Sequence, residues 1–182
     1  MDKIKLGKAK TIYTGKIFTI KERDVKFSDG STGVYEFCDR PDSVSVLAFN
    51  NKNELLMIKE RRVGYNHNVW FLPGGRIDQA GDTPQKAIVR EMREEAGYRP
   101  GTLKLIHKKS PSSTLLWNIY IFVAKDLVHD PLPLEKGEYT EPYFVPMKKA
   151  LQMALDGSIE NEFISYNIIR FDYMQKNGQF KW

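Results

Sequence analysis

Three glutamates on one short predicted helix are the residues of this chain best suited to chemistry. Thr83 followed by Pro84 predicts the start of the helix, because threonine caps helix N-termini and proline fits the first turn. With about 3.6 residues per turn, Glu91 and Glu95 lie one above the other and Glu94 lies beside them. Like charges at this spacing repel, and a hard divalent cation such as Mg²⁺, which prefers carboxylate oxygen, would compensate them. A solvated acidic face is the alternative for such a run taken alone.

The elements that must position these acids are a glycine-rich turn before the helix and an apolar stripe along it. Gly97 ends the helix, since glycine adopts the left-handed conformation that often follows a helix C-terminus. Apolar residues recur at helical spacing and predict the buried side: Ile88, Val89, Met92 and Ala96. The sequence therefore predicts a helix that packs through one side and presents its glutamates on another.

Residues 90–98 (REMREEAGY) resemble the second half of the Nudix hydrolase signature at every fixed position. The first half departs from it twice. Asp82 stands where the family has glutamate, and six residues rather than five separate it from Gly75. We expect the extra residue in the turn at 78–81, where an insertion costs little. The resemblance implies a Nudix-type α/β/α sandwich and is silent on the substrate.

Strand and helix patterns along the rest of the chain agree with that fold. Strands are predicted at residues 11–19, 33–37, 44–49, 54–59, 69–72, 103–107 and 116–124, and further helices at 146–155 and 163–175. Residues 50–53 (NNKN) predict a hairpin turn. We expect an α/β protein with one mixed sheet and helices on both faces. An N-terminal β-arm at residues 1–42 would precede a catalytic domain at residues 43–182.

The order of segments is similar to that of the ADP-ribose and nucleoside-diphosphate-sugar pyrophosphatases of this family. The shared features are a β-rich arm, IKERR at 58–62, WFLPGG at 70–75, the signature, a glutamate-bearing loop and ALQMALDG at 150–157. The resemblance implies a homodimer formed through the arm, with an active site drawn from both subunits. It places Tyr35 on the nucleobase with Glu36 beside it. Without the resemblance, Tyr35 is an ordinary residue of a cross-strand pair.

The same resemblance places Arg40 and Arg62 on the diphosphate of the substrate. Arginine suits this task because its planar guanidinium meets phosphate oxygens in a bidentate way. A surface charge at a strand end is the plainer interpretation of Arg62.

The reaction implied is Mg²⁺-dependent hydrolysis of the pyrophosphate bond of a nucleoside diphosphate sugar, with Mn²⁺ as a substitute. The products would be a nucleoside monophosphate and a sugar phosphate. The expected metal ligands are three carboxylates and a backbone carbonyl that the glycine turn brings near the helix: Glu91, Glu95, Glu94 and Gly74. Arg90 is expected to orient a carboxylate, with Asp82 as a partner.

A residue that activates the attacking water is expected in the loop at 134–141 (LEKGEYTE), after the predicted central strand. Glu138 fits the family position best and Glu141 comes next; either could instead be a further metal ligand. Glu94 on the helix is the remaining candidate for the catalytic role. A solvated loop acid is the plainer alternative for Glu138. Gly137 would give the loop freedom to close.

Phe71 departs from the ADP-ribose enzymes, which often read WELPAG where this chain reads WFLPGG at 70–75. That version is closer to the GDP-mannose mannosyl hydrolases. We therefore expect a broader substrate range, with GDP-mannose beside ADP-ribose. Two other functions stay open: hydrolysis of RNA 5′ ends or dinucleoside polyphosphates, and non-catalytic sensing of an ADP-ribose-like ligand.

The net charge of +5 comes from the start of the chain. Residues 1–26 hold eight Lys/Arg and three Asp/Glu, whereas the remainder holds 20 of each. A duplex-binding protein more often spreads basic residues over a face, so we expect no nucleic-acid partner. One cysteine, Cys38, and no long apolar segment or signal peptide predict a cytoplasmic protein that makes no membrane contact.

The remaining histidines and the C-terminus carry no chemistry in this interpretation. His67, His107 and His129 are dispersed, and none has zinc-ligand spacing with Cys38. The C-terminal residues 176–182 are predicted to fray.

Overall fold

The computed structural model describes residues 4–182, which form thirteen strands and three helices. In chain order these are β1 (Lys5–Leu6), β2 (Lys10–Thr14), β3 (Thr19–Lys26), β4 (Thr32–Asp39), β5 (Ser43–Phe49), β6 (Glu54–Arg61), β7 (Asn68–Phe71), α1 (Pro84–Glu95), β8 (Tyr98–Arg99), β9 (Thr102–Lys109), β10 (Leu115–Leu116), β11 (Ile119–Lys125), β12 (Val128–His129), β13 (Thr140–Pro146), α2 (Met147–Leu155) and α3 (Glu162–Lys176). No helix among these residues is long and apolar enough to cross a membrane.

A six-stranded mixed sheet forms the centre of the molecule. Its strands follow the order β13-β6-β5-β11-β9, with β7 added on β6. β11 runs parallel to β5 and antiparallel to β9, so this strand lies inside the sheet, as its apolar sequence predicts. The turn at 50–53 joins β5 to β6 as the predicted hairpin, with Asn53 at a positive φ of 57°.

The core lies between this sheet and the helices. α1 packs against β5, β8 and β13, and it buries Ile88 and Met92 completely. α2 contacts β13, β6 and α3. Asn161 caps α3 by accepting hydrogen bonds from the amides of Phe163 and Ile164. The mixed α/β class predicted from the sequence is confirmed.

The N-terminal arm is built differently from the prediction. The sequence suggested one strand over residues 11–19, but a turn at Gly15 divides it into β2 and the start of β3. β3 then runs to Lys26 and pairs with β4 along eight residues. Most side chains of this strand are exposed or half-buried and five are charged, so it lacks a clean apolar alternation.

The arm sheet has the order β1-β3-β4-β10, with β2 paired to β3. Its last strand, β10, comes from beyond the arm and runs parallel to β4. The division of the chain at residues 42 and 43 stays a prediction.

The expectation of a frayed C-terminus is wrong. Phe180 lies edge-on to Phe171 with ring centres 5.2 Å apart. Trp182 lies edge-on to Phe49 at 6.5 Å and to Phe180 at 5.1 Å. These aromatic contacts join Phe180 and the partly exposed Trp182 to the core, because aromatic rings gain from edge-to-face contact.

Candidate active site

A cleft of about 760 Å³ lies where the glycine turn, α1 and the loop before β13 meet. Its volume is that of a typical small-molecule site. The charged residues that line it include five glutamates and four arginines: Glu60, Glu91, Glu95, Glu135, Glu138, Arg40, Arg61, Arg62 and Arg76. Both signs of charge therefore face one space that a nucleotide-sized ligand could fill.

Helix α1 brings two glutamates to the floor of the cleft. The Thr83 hydroxyl accepts a hydrogen bond from the amide of Lys86 at 3.2 Å, and Pro84 occupies the first turn as predicted. Glu91 is only 9% exposed and Glu95 only 6% exposed. Carboxylates are almost never buried to this extent without partners, so their contacts decide their state.

The glycine turn supplies the partner of Glu95. The amide of Gly74 donates to Glu95 Oε2 at 2.8 Å. Gly74 has a φ of 158°, and a Cβ there would collide with the carbonyl oxygen of Val44. A Cβ on Gly75 would collide with the carboxylate of Glu91. Both glycines are therefore needed for the turn to approach the two carboxylates.

Arg90 forms ion pairs with three carboxylates of the site. Its guanidinium lies 2.9 Å from Glu94 Oε2, 3.0 Å from Glu91 Oε1 and 3.4 Å from Asp82 Oδ2. It also donates to the carbonyl of Arg76 at 3.4 Å. The aspartate that replaces the signature glutamate thus still reaches the arginine. One cation faces three carboxylates, which leaves a surplus of negative charge.

That surplus changes the acidity of the glutamates. Burial, together with nearby Glu94 and Glu138, raises the pKa of Glu91 to about 7 against the opposing charge of Arg90. Burial also raises the pKa of Glu95 well above its usual range, although the Gly74 amide opposes this. The pKa of Glu138 is raised by partial burial and by Glu135. Strongly raised carboxyl pKa values in a cleft are typical of functional sites.

The donor set fits a hard divalent cation. It consists of carboxylate oxygens whose charges are incompletely balanced, which are the ligands that Mg²⁺ and Mn²⁺ favour. Within residues 4–182, no three acidic, histidine or cysteine side chains are grouped as a finished metal site. Arg90 contacts Glu91 and Glu94, while the Gly74 amide contacts Glu95.

The residues expected to bind substrate are only partly brought together. Arg40 and Arg62 both line the cleft. Tyr35 and Glu36 lie on β4 and are not among the lining residues of this chain's cleft. The Tyr35 hydroxyl donates to the carbonyl of Ser113 at 2.5 Å.

The two candidates for the base lie in different surroundings. Glu138 lines the cleft, whereas Glu141 is not among its lining residues. Glu141 accepts hydrogen bonds from the hydroxyls of Tyr139 at 2.5 Å and Tyr143 at 2.6 Å, which hold its pKa below the usual value. The geometry therefore favours Glu138 for chemistry in the cleft.

The cleft residues that were not singled out from the sequence include Glu60, Arg76 and Glu135. Alternation along β6 could have found the first, because residues 58, 60 and 62 share one side of an extended chain. Arg76 follows the glycine turn directly, and Glu135 shares its loop with Glu138.

Comparison with known proteins agrees with this geometry. Residues 39–165 match the NUDIX domain model, which is more than half of the chain. The ADP-ribose pyrophosphatase of Bacillus subtilis (strain 168) is 25% identical over 160 residues, covering 86% of this chain and 86% of that protein. The ADP-ribose pyrophosphatase of Mycobacterium tuberculosis is 29% identical over 157 residues, covering 84% and 75%. The methanol dehydrogenase activator of Bacillus methanolicus is 25% identical over 171 residues, covering 92% and 90%.

A solved structure described as an ADP compounds hydrolase superposes with a TM-score of 0.81. The alignment covers 98% of this chain and 97% of that one at 23% identity, which supports the fold alone. The family match adds the identity of the domain, and the acidic helix carries the signature residues Glu91 and Glu95 into the cleft, whereas Glu94 is not among the lining residues. The chain therefore belongs to the Nudix domain family and is a hydrolase of pyrophosphate bonds.

Proposed function

We propose that this protein hydrolyses the pyrophosphate bond of nucleoside diphosphate sugars of the ADP-ribose and GDP-mannose type. The observation that carries the proposal is the meeting in one cleft of the buried Glu91 and Glu95 with arginines, Arg40 and Arg62, that form no ion pair with them among the described residues. A diphosphate brings negative charge to arginines and oxygen ligands to a cation held by carboxylates. Two relatives named ADP-ribose pyrophosphatase support this substrate class.

The metal proposed is Mg²⁺, with Mn²⁺ as a substitute. The residues that would hold it are those of the acidic helix and the glycine turn: Glu91, Glu95, Glu94 and the carbonyl of Gly74. When bound, such an ion neutralises phosphate oxygens and lowers the pKa of water. Positioning and electrostatic stabilisation would then account for most of the rate.

The chain's own residues have distinct parts in the reaction. Arg40 and Arg62 bind the phosphate oxygens, and Arg90 orients Glu91 and Glu94. Glu138 accepts a proton from the attacking water. The water oxygen forms a bond to phosphorus as the bridging P–O bond breaks, and the leaving phosphate departs with the bridging oxygen. A nucleoside monophosphate and a sugar phosphate result.

Base binding is proposed to involve a second subunit. Tyr35 and Glu36 lie outside the lining of their own chain's cleft, so they would serve the partner in a homodimer formed through the arm. Exposed apolar side chains on the arm support a contact there: Ile4, Leu6, Ile12 and Val34. Deleting residues 1–40 should give a monomer with little activity on size-exclusion chromatography and assay. A truncated protein that stays dimeric and active would contradict the arm's role.

The test of function is phosphate release from a substrate panel with Mg²⁺ and a coupled phosphatase. The panel contains ADP-ribose, GDP-mannose, UDP-glucose, NADH, diadenosine polyphosphates and triphosphorylated RNA, with Glu95→Gln as the control. Turnover of a diphosphate sugar, lost in the variant, would support the proposal and identify the preferred base and sugar. No phosphate release from any member of the panel would favour a non-catalytic sensor of an ADP-ribose-like ligand.

A second candidate is hydrolysis of RNA 5′ ends or of dinucleoside polyphosphates. An RNA pyrophosphohydrolase of Marinomonas sp. is 29% identical over 135 residues, covering 74% of this chain and 77% of that protein. Cleavage of triphosphorylated RNA with a steep salt dependence would support it, because phosphate contacts release counterions. Catalysis that does not change with salt concentration would exclude electrostatic binding of a nucleic acid.

We also propose a cytoplasmic location for the protein, because its single cysteine fits a reducing compartment.

A further inference from the structure

Arg62 is held in the cleft by an aromatic ring and a charge. Its guanidinium carbon lies 3.9 Å from the centre of the Phe71 ring. One guanidinium nitrogen lies 2.9 Å from Glu60 Oε2. Arginine stacks on aromatic faces through cation–π attraction and through contact between two planes. The ring therefore fixes the orientation of the guanidinium, and the carboxylate fixes one of its edges.

Neither contact uses up the hydrogen-bond donors of Arg62. Within residues 4–182, Glu60 Oε2 is buried without a hydrogen-bond partner, so its contact with Arg62 is an ion pair rather than a well-aligned hydrogen bond. The Arg62 side chain is 43% exposed, whereas that of Glu60 is 14% exposed. The donors of the arginine thus stay available on the open side of the cleft.

We propose that Phe71 is a positioning residue that sets the plane of the Arg62 guanidinium for binding phosphate oxygens. The inference rests on the proposed function, since it assigns Arg62 to the diphosphate. A stacked arginine loses less freedom on binding than one that is free to rotate. Val63, the next residue in the chain, is fully exposed. Phe71, at 7% exposure, is the fixed surface against which Arg62 rests.

The test compares variants at Phe71 in two measurements. One is the affinity for inorganic pyrophosphate, measured by calorimetry, and the other is KM and kcat for ADP-ribose. Phe71→Leu keeps an apolar side chain but removes the ring face, and Phe71→Tyr keeps the face. Phe49→Leu is the matched control, because Phe49 is buried to 5% exposure and does not line the cleft.

We expect Phe71→Leu to weaken pyrophosphate binding and raise KM about threefold to tenfold, with kcat within about twofold. Phe71→Tyr should keep the pyrophosphate affinity and the KM of the wild type. Phe49→Leu should lower the melting temperature without changing pyrophosphate affinity. In an Arg62→Lys background, Phe71→Leu should add little, since the planar cation that it positions is gone.

Two results would overturn the inference. One is a Phe71→Leu variant that binds pyrophosphate with the same affinity as the wild type. The other is an effect of Phe71→Leu that is undiminished in the Arg62→Lys background. The binding measurement also separates this inference from the proposed function. A ring-dependent affinity for pyrophosphate, with no turnover of diphosphate sugars, would leave the role of Phe71 standing and reject the substrate class.

Discussion

Replacing Glu91 with glutamine should flatten the pH dependence of the stability of the metal-free protein. Burial raises the pKa of this carboxyl from 4.5 to about 7 in the folded state. A group with a raised folded pKa contributes stability that is fully present below its unfolded pKa, here 4.5. That stability is lost as the pH rises through the folded pKa, here about 7. The wild-type protein should therefore become less stable between pH 5.5 and pH 8.

The size of the effect follows from the two pKa values. At pH 5.5 the free energy of unfolding is lower by about 1.4 kcal/mol than below pH 4.5, because the unfolded carboxyl is already ionised while the folded one keeps its proton. Above pH 7 the loss approaches about 3.4 kcal/mol. The difference of about 2 kcal/mol corresponds to a fall in melting temperature of roughly 4–8 °C for a chain of this size. Glutamine is neutral and can still accept a hydrogen bond from Arg90, so the variant lacks this loss.

The assay is thermal unfolding in EDTA at several pH values from 5.5 to 8. Glu141→Gln is the control, because the pKa of Glu141 is lowered and its charge is constant in this range. A slope in Glu91→Gln equal to that of the wild type, or a wild type that gains stability as the pH rises, would refute the reasoning. Glu95, whose pKa is also raised, should leave a residual slope of the same sign in the variant. Added Mg²⁺ should stabilise the wild type more at pH 8 than at pH 5.5.

The remaining predictions concern turnover. Glu138→Gln should lower kcat by about 10² or more with little change in affinity, whereas Glu135→Gln should lower it less; equal effects in steady-state kinetics would reject Glu138 as the base. Arg90→Lys should raise the Mg²⁺ concentration needed for half-maximal activity by roughly tenfold to a hundredfold, because a point charge cannot face three carboxylates; an unchanged metal titration would contradict this. Gly75→Ala should abolish most activity by displacing Glu91, while Gly33→Ala, where an added Cβ meets only an ordinary contact, should retain it.

The parts of the site that are local in sequence could be predicted, and the reason is geometric. Glu91, Glu94 and Glu95 share a helix whose start and apolar side are written in neighbouring residues. The helix period alone then places the acids together. The glycine turn was also recognisable, although its exact use was not. The sequence suggested the Gly74 carbonyl as a ligand, which stays a prediction, whereas the structure shows the Gly74 amide donating to Glu95.

The parts that depend on distant segments could not be predicted in the same way. Glu60 enters the cleft only because β6 pairs with β7 and ends beside the loop that carries Glu138. Arg40 lies 5.0 Å above the ring of Trp117, a residue 77 positions later in the chain. No local pattern encodes such meetings, since they follow from strand order. The arm was predicted least well, because its exposed strands lack the buried alternation that identifies a strand.

The incomplete pairing of the buried carboxylates costs stability, and the same feature suits the site to its function. Arg90 neutralises part of a group of three carboxylates, and Glu95 is held by a neutral amide. Apolar residues of similar size would pack there at lower free energy, since buried charges lose hydration that incomplete pairing does not return. The arginines Arg40 and Arg62 lie in the same cleft and so could have been placed to neutralise these acids. They instead lie against Trp117 and Phe71, whose rings orient a guanidinium without neutralising it, and Arg62 pairs with Glu60 rather than with the helix glutamates. Both signs of charge are thereby kept available, which suits a ligand that brings phosphate to the arginines and a cation to the glutamates.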